Sequence, residues 1–337
     1  WPWFAFLVAF YAVWLGLVIA DDEWARLVEH WRIALAMALG SYVAGSTPLG
    51  GGTIGFPVLV LMLGEPATIG RDFSFAVQSI GMVSASILIL AMRRPLEWPM
   101  LKWALLGATA GTPLGSVLLA PHVNDLAIKL LFAVVWCSFG IMHFVKLREI
   151  TGEHGITPAT DRFDALMGGG LGLIGGATVA AVTGVGVDML LYTVLVLVAR
   201  ADLRIAIPTS VILMAYTSVV GIITRMAMGG IDPEVYANWL AAAPVVAVGA
   251  PLGALAVGLL PRAFTLVFVS LLCVGQFVWT CVDERLTGWP LVIALGGVAA
   301  FNAMFHVMHR WGQWRTTHLA RGAHVPEGTE GVVEERS

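Results

Sequence analysis

The chain has 337 residues, of which 58% are hydrophobic and only 12% charged, with a formal net charge of −3. A soluble globule cannot hide that much apolar surface, and a disordered chain would carry far less of it. Three cysteines (Cys137, Cys273, Cys281) are too few for a disulfide scaffold, and no basic stripe marks a nucleic-acid partner. What remains is an all-α polytopic membrane protein.

Apolar runs bounded by charges, prolines or glycine clusters fall at 3–20, 31–47, 53–63, 72–92, 99–119, 126–147, 166–182, 186–199, 205–228, 236–257, 264–282 and 289–308. Run 3–20 lacks the basic start and cleavage site of a signal peptide and reads as a span. Crossing ~30 Å of hydrocarbon takes about 20 helical residues. Run 53–63 covers only about 16 Å and run 186–199 about 21 Å. Each short run follows a glycine break, Gly50-Gly51-Gly52 or Gly184-Val185-Gly186. A short apolar arm after such a break predicts a re-entrant hairpin or broken helix.

The two halves resemble each other. Gly111-Thr112-Pro113-Leu114-Gly115 recurs as Gly249-Ala250-Pro251-Leu252-Gly253, and a shift of 136 residues sets 50–52 on 186–188, Ser74 on Ser210 and Trp103 on Trp239. Each half reads as a hairpin, or two short full spans in its place, plus three spans; charge does not separate the two, because both give the same parity. An odd number of crossings makes the two repeats inverted. The hairpin arrangement gathers twelve lysines and arginines on one face, from Arg93 and Arg94 to Arg315 and Arg321, against six on the other. The positive-inside rule then puts both termini in the cytoplasm. The expected organisation is an extra helix at 1–30, repeat 1 at 31–150, repeat 2 at 151–283, an extra helix at 284–312 and a disordered cytoplasmic tail at 313–337.

Inverted repeats with interrupted segments place a transport site near the midplane, where the second arms begin. Arms starting near Thr53 and Val187 would present unpaired N–H groups and positive dipole ends to an anion, with glycine allowing close approach. The candidate substrate residues are Gly50, Gly51, Gly52, Thr53, Thr183, Gly184, Gly186, Asp188, Ser74, Gln78 and Ser210. Ser46, Thr47 and Thr178 are further hydroxyl donors, and Ser79 is a neighbour of Gln78 that could face the site. The plain alternative for all of them is close helix packing. Charges inside a membrane are costly, so Asp188, Asp72 and Arg71 are coupling candidates. Asp188 could instead be a helix cap, Arg71 and Asp72 an interfacial pair, and Arg225 is expected to snorkel outward. His143 reads as a packed histidine, the cysteines as small core residues, and Trp1, Trp98, Trp103, Trp289 and Trp311 as an interfacial belt.

The triad Gly50-Gly51-Gly52 with Pro57, Gly64 and Pro66 resembles the opening of the TauE/SafE sulfite exporter family, also called the 4-toluene sulfonate uptake permeases. Thr209-Ser210 resembles that family's GTS element, while Arg93-Arg94 and the GxPLG sequence resemble later elements. The resemblance covers about 31–282. It implies a two-repeat secondary transporter of small sulfur anions such as sulfite or sulfonates. The sequence departs from the pattern at Gly186-Val187-Asp188 and at Asp72-Phe73-Ser74. With no GxxxxGK[ST], HExxH or GxSxG and no metal-ligand spacing, no cofactor, metal or catalytic residue is expected. Coupling would then come from protons or the membrane potential. The expected partners are a small anionic substrate and membrane lipid, with a homodimer left open and no nucleic acid. The expected location is the bacterial cytoplasmic membrane. A carboxylate transporter or an anion channel is the competing reading.

Overall fold

A computed structural model describes residues 1–47, 49–153, 155–157, 160–256 and 262–322; among them the chain is helical throughout, without strands. The helices are α1 (Pro2–Ala20), α2 (Trp24–Glu29), α3 (Trp31–Ser46), α4 (Gly52–Pro57, running on as a π-helical turn Val58–Met62), α5 (Ala67–Ala91), α6 (Trp98–Leu118) and α7 (Asp125–Gly152). The second half contains α8 (Asp161–Gly175, continuing as a π-helical turn Gly176–Ala180), α9 (Ala181–Thr183), α10 (Val187–Leu197), α11 (Leu203–Gly229), α12 (Pro233–Ala256), α13 (Arg262–Asp283) and α14 (Trp289–Gly322). Among the described residues nine helices are long and apolar enough to cross a membrane, while Gly52–Met62 and Val187–Leu197 are shorter apolar helices.

Each short helix doubles back on the helix before it. The Cα of Gly40 on α3 faces the Ile54 side chain, and the Cα of Gly175 on α8 faces Leu190 and Val187 of α10. The open ends of the two hairpins lie at opposite ends of the bundle. At one end, His30 before α3 meets Glu234 through Nε2 at 3.0 Å. Glu65, after α4, is there too: burial pushes its carboxyl up, and Glu234 and Asp232 push it further. At the other end the Asp202 amide donates to the Gly155 carbonyl at 2.7 Å, and the Thr157 amide to Ala199 O at 2.8 Å. The Glu97 amide joins this end by donating to Thr209 Oγ1 at 3.0 Å. These are called below the Glu234 end and the Arg94 end.

Equivalent details recur 136 residues apart. Thr47 and Thr183, closing the two first arms, each donate to the carbonyl four residues back, Val43 or Val179, at 2.8 Å. Gly50 and Gly186 both hold the left-handed backbone that lets a chain turn sharply, with φ of +67° and +105°. The glycines of the GxPLG helices serve close approach instead. A Cβ at Gly111 or Gly115 on α6 would lie 2.2 or 2.0 Å from the carbonyl oxygens of Leu173 and Ala177, while one at Gly253 on α12 would lie 2.1 Å from Tyr42 O on α3. Each GxPLG helix thus seats its backbone on the first hairpin arm of the other half, the way small residues let membrane helices approach.

The last helix runs to Gly322, past the expected end at 312. Packing accompanies it past that point, where the Arg315 guanidinium lies 4.0 Å over the Phe163 ring. Trp311 meets Phe163 edge-on at 5.7 Å, and Gly312 lies against the Leu197 carbonyl. Residues 323–337, where the rest of the expected tail falls, lie outside the described residues.

Candidate functional site

The two glycine breaks meet in the middle of the protein. A Cβ on Gly52 would lie 2.3 Å from Val185 Cγ1 of the opposite tip and 2.9 Å from Ser74 Oγ. One on Gly184 would lie 2.2 Å from Arg71 O and 3.0 Å from Ser74 Cβ. Ser74 on α5 is therefore wedged between both tips. Gln78, one turn further, touches the first: its Oε1 lies 2.7 Å from a Cβ built on Gly50, beside Met214 of α11.

Hydrogen bonding separates the two tips. At the second, the Asp188 carboxylate accepts from the Gly186 amide at 3.1 Å and also engages the amides of Met189 and Asp188 itself. The protein thus sets a carboxyl side chain of its own beside the first turn of α10. The residue 136 positions earlier is Gly52, and no side chain caps α4. Thr53 and Ile54 already donate their amides to Gly50 O and Gly51 O at 3.3 Å each, so what sets this end apart is that no carboxyl group stands beside its positive dipole end.

Most of the candidate hydroxyls are already spent. Ser74 donates to Gly70 O at 2.7 Å, Thr183 to Val179 O, Thr178 to Ile174 O and Ser46 to Val43 O. Thr53 donates to Leu49 O and accepts from Trp136 Nε1 at 2.7 Å. Ser79 donates to Ala76 O. Ser210 donates to Ile207 O at 2.9 Å and stands one turn before Met214 rather than at a tip. An anion would take any of these protons only by breaking an existing bond.

Beside the first tip, two groups of the described residues are uncommitted. Ser41 Oγ and Gln78 Oε1 are buried without a hydrogen-bond partner. Both residues line one small cavity beside Gly51, closed by Met37, Ala44, Val246 and Ala250. Gln78 Nε2 donates to Ser74 O at 2.9 Å, which fixes the amide's orientation and leaves Oε1 as an acceptor and the second Nε2 hydrogen as the remaining donor. Ser41 escapes sequence reading because one serine in an apolar helix carries no pattern. Its space comes from Gly249 of the second GxPLG, where a Cβ would lie 1.9 Å from Ser41 Oγ.

Trp136 is a second residue that sequence reading misses. It is fully buried on α7, stacks on Phe132 at 4.0 Å, and binds Thr53 of the first tip. Its ring edge also lies 3.2 Å from a Cβ built on Gly186 of the second tip. One indole thus spans both breaks. Lower on α7, His143 Nδ1 bonds Phe139 O at 2.9 Å; that carbonyl can only accept, so Nε2 takes the Tyr192 hydroxyl at 3.0 Å. His143 is the packed histidine the sequence suggests, tied to the second arm.

Arg225 does not snorkel outward. Its Nε lies 3.1 Å from Asp72 Oδ1, and Arg71 Nε donates to the same oxygen at 2.7 Å. A carboxylate one turn into α5 outcompetes the interface for this arginine. At the Arg94 end, a cleft opens between α3, α5, α11 and α12, lined by Gly45, Ile89, Arg94, Arg204, Ile207, Pro208 and Ala254. Among the described residues no group of three or more His, Cys, Asp or Glu is placed to hold a metal.

The family model described as Sulfite exporter TauE/SafE matches residues 32–278. No curated protein and no solved structure matches the chain.

Proposed function

The chain belongs to the sulfite exporter TauE/SafE family, a family of membrane transporters, and from that premise we propose that it moves sulfite or a small organosulfonate by alternating access around the cavity at the first hairpin tip. The observation that carries this reading is the buried Ser41 hydroxyl, which has no hydrogen-bond partner and stands beside Gln78, both residues lining the cavity at Gly51. Burying such a hydroxyl without a partner costs about 1–3 kcal/mol, and an oxyanion at the N-terminal end of α4 would take the Ser41 proton and the second Nε2 hydrogen of Gln78. Asp188 is the built-in counterpart, filling the equivalent place at the other tip.

The hairpins open at opposite ends, which supports inverted repeats (31–150 and 151–283) that exchange access between the two sides. Arg93, Arg94, Arg162, Arg200 and Arg204 flank the helix ends at the Arg94 end. The positive-inside rule makes that end cytoplasmic, with both termini there, in a bacterial cytoplasmic membrane. The cleft between Arg94 and Arg204 would be the cytoplasmic mouth. Energy would come from a proton or the membrane potential, with Asp188, Asp72 and Arg71 as the groups in position to respond.

The test is a thermal-shift panel on the purified protein with sulfite, sulfate, methanesulfonate and acetate, followed by counterflow of radiolabelled sulfite in proteoliposomes. Ligand binding raises stability by RT ln(1 + [L]/Kd). Selective stabilisation by sulfite or methanesulfonate, weakened in Ser41→Ala, is expected. Stabilisation by acetate alone would name a carboxylate carrier, and flux without saturation or counterflow a channel.

A further inference from the structure

Asp72 serves two arginines. Arg71 donates through Nε to Oδ1 at 2.7 Å and through Nη2 to Oδ2 at 3.3 Å, and Arg225 brings Nε to 3.1 Å of the same Oδ1. Two guanidiniums and one carboxylate leave a formal charge of +1. The Arg71 side chain is 6% exposed and that of Arg225 11%. Nε and Nη2 of Arg225 are buried with no hydrogen-bond partner, the approach of Nε to Asp72 lacking the geometry of a bond. The charged groups acting on Arg225 are Asp72 and Arg71. Surplus positive charge with unspent donors is costly to hold inside a membrane protein, and an oxyanion would complete it.

The cluster adjoins the hairpins. The Arg71 carbonyl packs on Gly184 of the second tip, and Arg71, Ser74 and Gln78, spaced three and four apart, lie along one face of α5 toward the Gly51 cavity. The repeat sharpens its meaning. Shifting by 136 residues sets Arg71 on Ile207, Asp72 on Pro208, and Ile89 on Arg225. Ile89, Ile207 and Pro208 line the cleft at the Arg94 end. The ion cluster therefore occupies, at the Glu234 end, the place that is a small apolar-floored cleft in the other half.

We propose that Arg71, Asp72 and Arg225 form an anion-receptive gate at the Glu234 end, in which Asp72 holds the guanidiniums while the gate is shut and a sulfur oxyanion takes its place as the gate admits substrate. This rests on the transporter reading above. The guanidinium fork suits an oxyanion bidentately, and Asp72 competes for it. Removing the two charges therefore has opposite consequences, unlike a structural ion pair, where either loss destabilises the fold and leaves binding unmoved.

The experiment is isothermal titration of the purified full chain in detergent with sulfite and with methanesulfonate. Asp72→Asn is expected to tighten binding about tenfold, because both guanidiniums are released to the ligand. Arg225→Gln is expected to weaken it about thirtyfold, with Arg225→Lys in between. If Arg225→Gln does not fold, Asp72→Asn and Arg225→Lys carry the test. Wild-type affinity in Asp72→Asn, or weakening in both Asp72→Asn and Arg225→Lys, overturns the gate while leaving the transporter reading in place. A wild-type protein that binds neither anion overturns both.

Discussion

Gly51 and Gly52 are adjacent, yet a methyl group on each should act in opposite directions. Gly51 has φ −68° and ψ −28°, ordinary for any residue, and the nearest atom to an added Cβ is Met37 Cε at 3.4 Å. Gly51→Ala should therefore raise stability by about 0.4–1 kcal/mol by restricting the unfolded chain. At Gly52 the added carbon would sit 2.3 Å from Val185 Cγ1. Ordinary carbon contacts are ~3.5–4.0 Å, so the two hairpin tips must part by about 1.5 Å. Overpacking of this kind costs about 1–3 kcal/mol, which sets the two variants roughly 1.5–4 kcal/mol apart. The tightest clash is with the opposite tip, with Ser74 Oγ and Gln78 Nε2 at 2.9 Å behind it, so Val185→Ala should relieve part of the cost, and a double-mutant cycle should return about 1–2 kcal/mol of coupling. Thermal unfolding in detergent ranks the four proteins, and sulfite affinity follows in parallel. If Gly52→Ala melts with Gly51→Ala, or Val185→Ala gives no rescue, the tips do not touch and the site assembled from them is wrong.

Trp136→Phe keeps the stack on Phe132 but deletes the 2.7 Å bond to Thr53; a loss of about 0.5–1.5 kcal/mol in melting experiments is expected, and no loss would remove the indole as a strap between the tips. Asp188→Asn retains an oxygen for the Gly186 amide and should fold, while Asp188→Ala should lose about 0.5–2 kcal/mol. Transport by Asp188→Asn should show an altered pH profile; an identical profile would leave Asp188 as a cap alone. Single cysteines at 93–98 should react with membrane-impermeant maleimide only from the cytoplasmic side, and labelling from outside would reverse the orientation.

The hairpins were legible because length is arithmetic: eleven helical residues do not cross hydrocarbon, and a glycine break beside them leaves little else. The pairing of halves was legible because GxPLG marks where backbones touch, and touching backbones tolerate few residues. What stayed hidden depends on partners distant in sequence. Arg225 near a helix end reads as a snorkelling arginine until Asp72 is seen beside it. Trp136 lies in an apolar run where any aromatic reads as core, and its role comes from meeting Thr53 and Gly186 at once. Ser41 matters because Gly249 makes room for it and nothing bonds it. Spent hydroxyls show the same limit: the sequence counts donors, and only packing shows which protons are already taken.

A two-repeat carrier with identical halves would favour its two access states equally. This chain keeps the repeated backbone and breaks the symmetry in its side chains. Gly52 faces Asp188 across the repeat, Gln78 faces Met214, and Arg71-Asp72 faces Ile207-Pro208. Each exchange moves charge or hydrogen-bonding capacity to one side: a helix end without a carboxyl group against one that has it, an amide against a thioether, an ion cluster against an apolar-floored cleft. The Glu234 end is the one held by charge, and the Arg94 end holds a small cleft with an apolar floor at the equivalent place. A ligand can shift such an equilibrium only by its differential affinity for the two states. On the gate proposed above, an oxyanion that competes with Asp72 for Arg225 would have that difference built in: it would bind the cluster better once the carboxylate has let go. Substrate itself would then loosen the closed end, and a neutral molecule of the same size would not.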